Sequence, residues 1–220
     1  LERVAAVGKP VILVLTNGGA LSIPEEEPLC NAIVEAWYPG EEGGRALGEL
    51  LFGDYSPSGR MPVTTVQSAD DLPPFADYRM EGRTYRFLRG EPLFPFGFGL
   101  SYTSFRYRPV DFPEVVPVGG DLCFPLEVTN TGEVDADATV QVYLRDEEAS
   151  VRTPNRQLVW FGHARLAVGQ TERLAVRVPA RSMAVVLENG DCRLESGWFS
   201  VSMGGIQPDD VSRRLSDDPV

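Results

Sequence analysis

The residues of this sequence that could perform chemistry are, first, its clustered carboxylates. Glu25, Glu26 and Glu27 are consecutive, and Glu41 and Glu42 precede a predicted helix. Two carboxyl groups catalyse hydrolysis when they lie roughly 5 Å apart across a bound substrate and burial raises the pKa of one of them. Adjacent residues point in different directions and stay solvated. We therefore predict no catalytic pair: the first cluster is a solvated loop, and the second stabilises a helix dipole or, in the case of Glu42, accepts from backbone amides.

The histidine and the cysteines predict neither a catalytic site nor a metal site. His163 is the only histidine, and nothing near it in sequence resembles an activated nucleophile. Cys30, Cys123 and Cys192 lack metal-ligand spacing, so no metal site is predicted. They are expected to be buried free thiols, with a Cys123–Cys192 disulfide as the alternative. The Gly-Phe-Gly at 97–99 lacks the third glycine of a dinucleotide fingerprint, so no cofactor is predicted and a tight turn is expected.

The overall charge limits the partners of the chain. Acidic residues number 32 against 20 basic ones, a formal net charge of −12. Such a surface repels phosphate backbones, so nucleic acid is not predicted as a partner. The longest apolar run, 11–15, is too short to cross a bilayer, so no membrane partner is predicted. The chain opens within a predicted helix without a Met, so we expect a preceding segment and leave compartment and oligomeric state open.

The first part of the sequence, residues 1–103, has α/β character. The run 10–15 is apolar throughout and predicts a strand in a covered, mostly parallel sheet. A short helical stretch is expected around 30–34, followed by a buried strand at 36–38. A helix opening at 39–44 and ending at Gly53 has apolar residues at i, i+3 and i+4 spacing, and 61–64 is at most an edge strand because of Pro62.

Residues 104–206 change to alternating strands with no helical period. Seven runs are found: 105–107, 122–128, 140–144, 158–166, 174–178, 184–187 and 197–203. Seven short alternating strands in about 100 residues are typical of an immunoglobulin-like sandwich. The predicted fold class is therefore a partial α/β layer followed by an all-β sandwich. The acidic tail, 207–220, lacks periodicity and is predicted to be disordered.

Several segments resemble family 3 glycoside hydrolases, in the right order along nearly the whole chain. They are GKPVILVL (8–15), AWYPGEEGG (36–44), LFGDYSPSGRMPVT (51–64), GRTYRF (82–87), PLFPFGFGLSYT (92–103), VTNTG (128–132) and VQVYLRD (140–146). Ser56 departs from the family's usual Asn. The resemblance implies the end of the family's α/β domain followed by a fibronectin type III-like sandwich.

The same resemblance implies that the catalytic residues are not in this chain. The family's Asp nucleophile lies on a (β/α)8 barrel, which alone needs roughly 250 residues. Its Glu acid/base usually precedes the strand matched here by 10–15. Both carboxylates are therefore expected upstream of Leu1, and the oligosaccharide substrate would bind through the barrel. The implied parent is an exo-acting, retaining β-glycosidase, with β-xylosidase favoured by GRTYRF and β-glucosidase close behind.

Trp37, Tyr85 and Phe87 are the candidate substrate-binding residues, because sugar sites use aromatic rings as platforms. Packing in a core or between domains is the competing prediction for each of them. A different function, a stand-alone carbohydrate-binding or scaffolding module, would need exposed aromatic residues on the sandwich. Tyr143, Trp160, Trp198 and Phe199 lie in alternating strands and are predicted to point into its core instead.

Overall fold

The computed structural model describes residues 1–216, and its first half is built on a small parallel sheet. Helix α1 (Glu2–Ala5) precedes strand β1 (Ile12–Leu15), a 3-10 helix (Glu27–Leu29) and strand β2 (Ala32–Glu35). The two strands pair in parallel, with Ile12 opposite Ala32. Ile12 is exposed and the rest of β1 is half-buried, so this sheet is less covered than the apolar sequence of β1 predicts.

The predictions for residues 30–38 were wrong. The expected helical stretch at 30–34 is instead the end of the 3-10 helix followed by β2, whose Ile33 and Val34 are β-branched and favour a strand. The expected strand at 36–38 does not form, because Trp37 has a φ of 51° and lies outside the extended region. The chain therefore turns just after β2, at the carboxyl edge of the sheet.

Helix α2 (Gly43–Phe52) forms as its periodicity predicts and ends at Gly53, which has a φ of 82°. Leu47 and Leu50 are half-buried, whereas Phe52 is 90% exposed. Beyond α2 the first half is mostly loop, with a 3-10 helix (Ala69–Asp71) and the one-turn helix α3 (Thr84–Phe87). Residues 61–64 form no strand, and Thr65 instead makes an isolated bridge with Phe94.

All paired strands of the second half are antiparallel. They are β3 (Phe105–Pro109), β4 (Leu122–Asn130), β5 (Ala136–Asp146), β6 (Gln157–Leu166), β7 (Thr171–Val178), β8 (Ala184–Val186), β9 (Cys192–Leu194) and β10 (Phe199–Gly204). Their sheets have the orders β3-β4-β7, β10-β5-β6 and β8-β9. Each predicted run contains a strand, and β9 was missed because three residues are too few to show an alternation.

The two three-stranded sheets share one apolar core. On β4 every second side chain is buried, as its alternation predicts. The fully buried members of this core come from both sheets: Leu122, Phe124, Leu126, Val128, Ala138, Val140, Val142, Ala164, Leu166, Val176 and Val178. Trp160 packs against them, but Trp198 precedes β10 and is 72% exposed, so the prediction that it points inward was wrong.

Strand β5 is buried on both of its faces. Ala138, Val140 and Val142 face the apolar core, while Thr139, Gln141 and Tyr143 alternate with them and are also buried. The second set is covered by the first half of the chain. Thr139 Oγ1 donates to the carbonyl of Ser58 at 2.7 Å, and Gln141 Nε2 donates to the carbonyl of Gly97 at 2.9 Å. Tyr143 thus lies on this docking face and not in the core that was predicted for it.

Further contacts fix the two halves against each other. Arg60 Nε donates to the carbonyl of Gly205 at 2.6 Å, and burial lowers the pKa of this guanidinium. Asn155 donates its backbone N–H to the carbonyl of Arg86 at 2.7 Å and its side-chain amide to the carbonyl of Leu88 at 2.9 Å. The second half is therefore docked on the first through hydrogen bonds at several separate points.

Residues 207–216 correct the prediction of a disordered tail. Helix α4 (Asp210–Ser216) buries Val211 and Ser212, and Ser212 donates to Asp209 through both its backbone and its hydroxyl. The acidic composition concealed this helix, because its two buried residues are too few to show a period. Residues 217–220 of the predicted tail lie outside the described residues.

The cysteines also differ from expectation. All three are free thiols, so the alternative disulfide between Cys123 and Cys192 is not formed. Cys123 and Cys192 are exposed and only Cys30 is half-buried, so the expected burial was wrong. Cys123 lies on the outer side of β4, where the alternation of that strand places it. Among the helices of residues 1–216, none is long and apolar enough to cross a membrane.

Substitution of Gly97 by Ala tests how tightly the two halves fit. Gly97 has a φ of 75°, and a Cβ there would lie 2.3 Å from Gln141 Oε1 and 2.4 Å from the Tyr143 hydroxyl. We expect Gly97→Ala to lower the free energy of unfolding by about 2–4 kcal/mol, from backbone strain and overpacking together. Gly169→Ala is the matched control, because Gly169 has the same φ and no neighbour within 4 Å. It should cost about 1–2 kcal/mol in a chemical denaturation experiment. Equal losses would show that the interface is loose.

Limited proteolysis should distinguish the two halves, because they differ in how much apolar core they contain. The main buried apolar cluster lies wholly on β4–β7, whereas the buried hydrophobic residues among 1–103 are only Ile23, Leu93 and Phe98. We expect a resistant piece that begins near Phe105, with early cuts in the first half, when mass spectrometry follows the digestion. Greater resistance of the first half would contradict this assignment of stability.

Candidate functional site

The carboxyl ends of the two parallel strands bring three polar and aromatic residues together. Asn17 follows β1, Glu35 ends β2 and Trp37 comes two residues later. Asn17 Nδ2 donates to Glu35 Oε2 at 3.3 Å and to the carbonyl of Gly19 at 2.6 Å. The Trp37 backbone N–H donates to Glu35 Oε1 at 3.2 Å. The carboxylate of Glu35 therefore ties both strand ends together at the edge where open α/β sheets bind ligands.

Trp37 is held in a conformation that a bulky residue seldom adopts. Its φ of 51° lies in the left-handed region, and its side chain is half-buried. Backbone strain of this kind costs on the order of 1–3 kcal/mol and concentrates at functional sites. The Oδ1 atom of Asn17 is buried and has no hydrogen-bond partner among the described residues. An amide and a carboxylate can bind sugar hydroxyls, and an indole ring can bind a sugar ring face.

Tyr85 lies where the two halves meet. Its ring stacks on Phe96 with centroids 4.3 Å apart and meets the edge of Tyr143 at 6.2 Å. Its hydroxyl accepts a hydrogen bond from the backbone N–H of Leu158 at 3.0 Å. Burial, and next the neighbouring Tyr85, raise the pKa of the Tyr143 hydroxyl, which donates to Gln141 Oε1 at 2.6 Å. These contacts are those of a residue that packs between domains.

Phe87 is the last residue of α3, and its ring lies beside two arginine side chains. The guanidinium carbon of Arg86 is 5.9 Å from its ring centroid, and that of Arg152, from the second half, is 5.7 Å away. The ring is half-buried and lines an open groove together with Arg152. Trp37, Tyr85 and Phe87 thus occupy three different environments, and their roles as substrate platforms stay predictions.

The acidic clusters are not arranged as a catalytic pair. Glu41 and Glu42 are exposed, and Glu42 stands at the N-cap of α2 without a side-chain hydrogen bond to the helix, so it does not hold the backbone amides. Glu25 is exposed in a turn, and Glu26 and Glu27 are half-buried.

The carboxyl groups that have a shifted pKa are all shifted downward, the opposite direction from a general acid. The pKa of Asp77 is about 2 because Arg79 donates to it, and that of Glu195 is about 2 because Ser150 and then Arg193 donate to it. The backbone N–H of Ala180 and then Arg177 lower the pKa of Asp121. These groups stay ionised at neutral pH and bind cations or donors, not leaving-group oxygens.

His163 lies on β6 as predicted and is exposed there. Its Nδ1 is 3.3 Å from Thr139 Oγ1, and its ring meets Phe161 edge-on at 6.3 Å. Across residues 1–216, no group of three or more His, Cys, Asp or Glu side chains is placed to hold a metal ion. Gly97 lies in a tight turn over residues 95–98, close to the turn expected at 97–99, and the N–H of Phe98 closes it by donating to the carbonyl of Pro95 at 3.2 Å.

Two features of these surfaces were not found from the sequence. The Asn17–Glu35 contact could have been predicted from the rule that parallel strands present their carboxyl ends at one edge, had β2 been placed at 32–35. The position of Arg152 could not have been predicted, because the loop between β5 and β6 that carries it shows no sequence pattern. Its contact with Phe87 also spans the two halves of the chain.

Comparison with known families and proteins agrees with this architecture. The Glycosyl hydrolase family 3 C-terminal domain matches residues 1–102, and the Fibronectin type III-like domain matches residues 138–206. A xylan 1,4-beta-xylosidase from Xylanibacter ruminicola is 35% identical over 217 residues, which are 98% of this chain and 25% of that protein. A periplasmic beta-glucosidase from Salmonella typhimurium is 34% identical over 93% of this chain and 28% of its own length.

Solved structures show the same arrangement. A beta-glucosidase from Listeria innocua in complex with glucose superposes with a TM-score of 0.83 at 27% identity, over 94% of this chain and 31% of that one. The GH3 beta-glucosidase of Bifidobacterium adolescentis gives 0.84 at 30% identity, over 94% and 33%. The chain thus spans about a quarter to a third of the length of these relatives. It belongs to glycoside hydrolase family 3, of which it has the C-terminal α/β domain and the fibronectin type III-like domain.

Proposed function

We propose that this chain is the C-terminal part of an exo-acting, retaining β-glycosidase that removes terminal sugars from oligosaccharides. The observation that carries the proposal is the alignment of nearly the whole chain, through both halves, with about a quarter of a xylan 1,4-beta-xylosidase. The catalytic Asp and Glu are proposed to lie outside this chain. The exposure of Glu41 and Glu42 and the lowered pKa values of Asp77, Asp121 and Glu195 support that division.

The proposed role of the first half is to complete a sugar-binding cleft. Its carboxyl edge presents Asn17, Glu35 and Trp37, of which we propose that Trp37 contacts the sugar. Large apolar side chains on the same half are exposed, including Phe52 at 90% and Phe75 at 91%. Such highly exposed large apolar side chains are expected where another domain packs, which supports assembly with a barrel domain.

The proposed role of residues 104–206, a complete immunoglobulin-like sandwich, is structural. Its outer β5 face is occupied by the first half, and its core accounts for most of its large apolar residues. For the substrate we favour a β-linked xylose, because GRTYRF resembles the β-xylosidase members and a relative named as a xylosidase is 35% identical. A β-linked glucose is the second candidate, supported by the 34% identity to a beta-glucosidase.

Activity assays test this division of labour. The chain alone should release no p-nitrophenol from p-nitrophenyl β-xyloside or β-glucoside above the buffer rate, because the catalytic Asp and Glu are proposed to lie outside it. The same chain joined to the barrel domain expected directly upstream in its gene should hydrolyse one of the two substrates. Turnover by the chain alone that is lost in Glu41→Gln or Glu42→Gln would contradict the proposal.

The Tyr85 hydroxyl provides a test of domain packing against a role in sugar binding. We expect Tyr85→Phe to lower the free energy of unfolding of the chain by about 1–2 kcal/mol, because the N–H of Leu158 loses its acceptor. Tyr78→Phe is the matched control, since Tyr78 is 86% exposed, and should change stability by less than about 0.5 kcal/mol. If Tyr85→Phe is neutral in thermal or urea denaturation, Tyr85 returns as a candidate substrate residue.

A further inference from the structure

An open groove with an unusual charge lies between the two halves of the chain. Its volume is about 570 Å³, and we call it the arginine groove; it is lined by Arg79, Met80, Glu81, Phe87, Arg89 and Arg152. Arg152 belongs to the β5–β6 loop of the second half, and the other five to the loop and helix at 79–89. A neighbouring cleft of about 670 Å³ shares Glu81 and Arg89 with it.

The groove has an excess of positive charge within a strongly acidic protein. Asp77 neutralises Arg79, with Arg79 Nη2 2.6 Å from Asp77 Oδ2 and Arg79 Nε 3.0 Å from Asp77 Oδ1. Glu81 alone forms ion pairs with both Arg89 and Arg152. Three guanidinium groups therefore face two carboxylates, which leaves one positive charge in a chain whose formal net charge is −12.

The guanidinium groups keep donors available for a ligand. Each has five N–H donors, of which one shared carboxylate can occupy only part. The side chains of Arg89 and Arg152 are 77% and 53% exposed, so their remaining donors reach the groove and solvent. The Phe87 ring, 5.7 Å from the guanidinium carbon of Arg152, holds that group in place by a cation–π contact.

We propose that the arginine groove binds the carboxylate of an acidic sugar, such as a hexuronate unit of a decorated oligosaccharide. The proposal rests on the proposed function only in taking the ligand to be a sugar. A single excess charge suits a monoanion, and arginine pairs with carboxylates through two parallel hydrogen bonds. Met80 and Phe87 provide an apolar wall for the C–H face of the sugar ring. The overall negative charge of the chain disfavours a polyanionic ligand.

Titration of two glycosides that differ only in their charge tests the proposal. Methyl β-D-glucuronoside and methyl β-D-glucoside are titrated separately into the 220-residue chain, and binding is followed by NMR chemical shifts or calorimetry. We expect the glucuronoside to bind at least tenfold more tightly. Acetate and inorganic phosphate distinguish sugar recognition from simple anion binding, and each should bind at least tenfold more weakly than the glucuronoside.

Three variants locate the binding. Arg152→Gln should raise the Kd of the glucuronoside at least tenfold, whereas Arg106→Gln, at an exposed position of β3, should change it less than twofold. Glu81→Gln should lower the Kd, because the ligand carboxylate no longer competes with an internal one. Circular dichroism confirms that each variant is folded.

Any of three results would overturn the proposal: equal binding of the two glycosides, acetate or phosphate binding as tightly as the glucuronoside, or equal effects of Arg152→Gln and Arg106→Gln. These outcomes are separate from those of the proposed function, because binding is measured without turnover. We expect Arg152→Gln to leave hydrolysis of an uncharged aryl xyloside by the protein joined to its barrel unchanged, so either proposal can fail while the other holds.

Discussion

The arrangement of this protein depends on the side-chain amide of Gln141, which is buried between the two halves. Its nitrogen donates to the carbonyls of Gly97 and Gly205, both at 2.9 Å, and its oxygen accepts from the hydroxyl of Tyr143 at 2.6 Å. A buried amide costs several kcal/mol when its partners are missing, on the order of 2–7 kcal/mol by transfer measurements. Gly97 belongs to the first half, whereas Gly205 and Tyr143 belong to the second, so movement of the halves apart would cost this amide one of its three hydrogen bonds.

The arginine groove inherits its geometry from this docking. The arginine groove has walls from each half, and its guanidinium groups would separate if the halves moved apart. The carboxyl edge of β1 and β2 lies within the first half alone, but that half has few buried apolar residues of its own. Its loops between α2 and β3 are held by hydrogen bonds to the second half, such as those of Arg60 and Arg86. The second half, which has a well-packed core, therefore supports the first half, which has few buried apolar residues.

Much of the fold could be predicted from local pattern, and the exceptions share a cause. The alternation of β4 and the i, i+3, i+4 spacing of α2 each define one apolar face, and both elements appear where they were expected. Tyr143 was assigned to the core because a strand normally has one buried face, and nothing in its own sequence indicates that the second face is covered. The strand expected at 36–38 does not form because the turn at Trp37 is held by a hydrogen bond to Glu35, against the preference of a bulky residue. The sequence also predicted only part of the candidate site. Trp37 and Phe87 could be named by residue type, whereas Asn17, Glu35 and Arg152 are recognised only after the fold brings distant segments together.

The three free thiols have a practical consequence for following these two halves in solution. Cys123 and Cys192 are exposed on the second half, and Cys30 is half-buried on the first, with its Sγ 3.3 Å from the carbonyl oxygen of Glu26. Thiol-reactive dyes or spin labels would therefore mark the second half first, and a label forced onto Cys30 would require local opening of the first. With one of the exposed cysteines replaced by serine, a pair of probes on the remaining exposed thiol and on Cys30 would report the separation of the halves directly. The same exposure makes a reducing buffer necessary, because two surface thiols per chain permit disulfide-linked chains of several molecules.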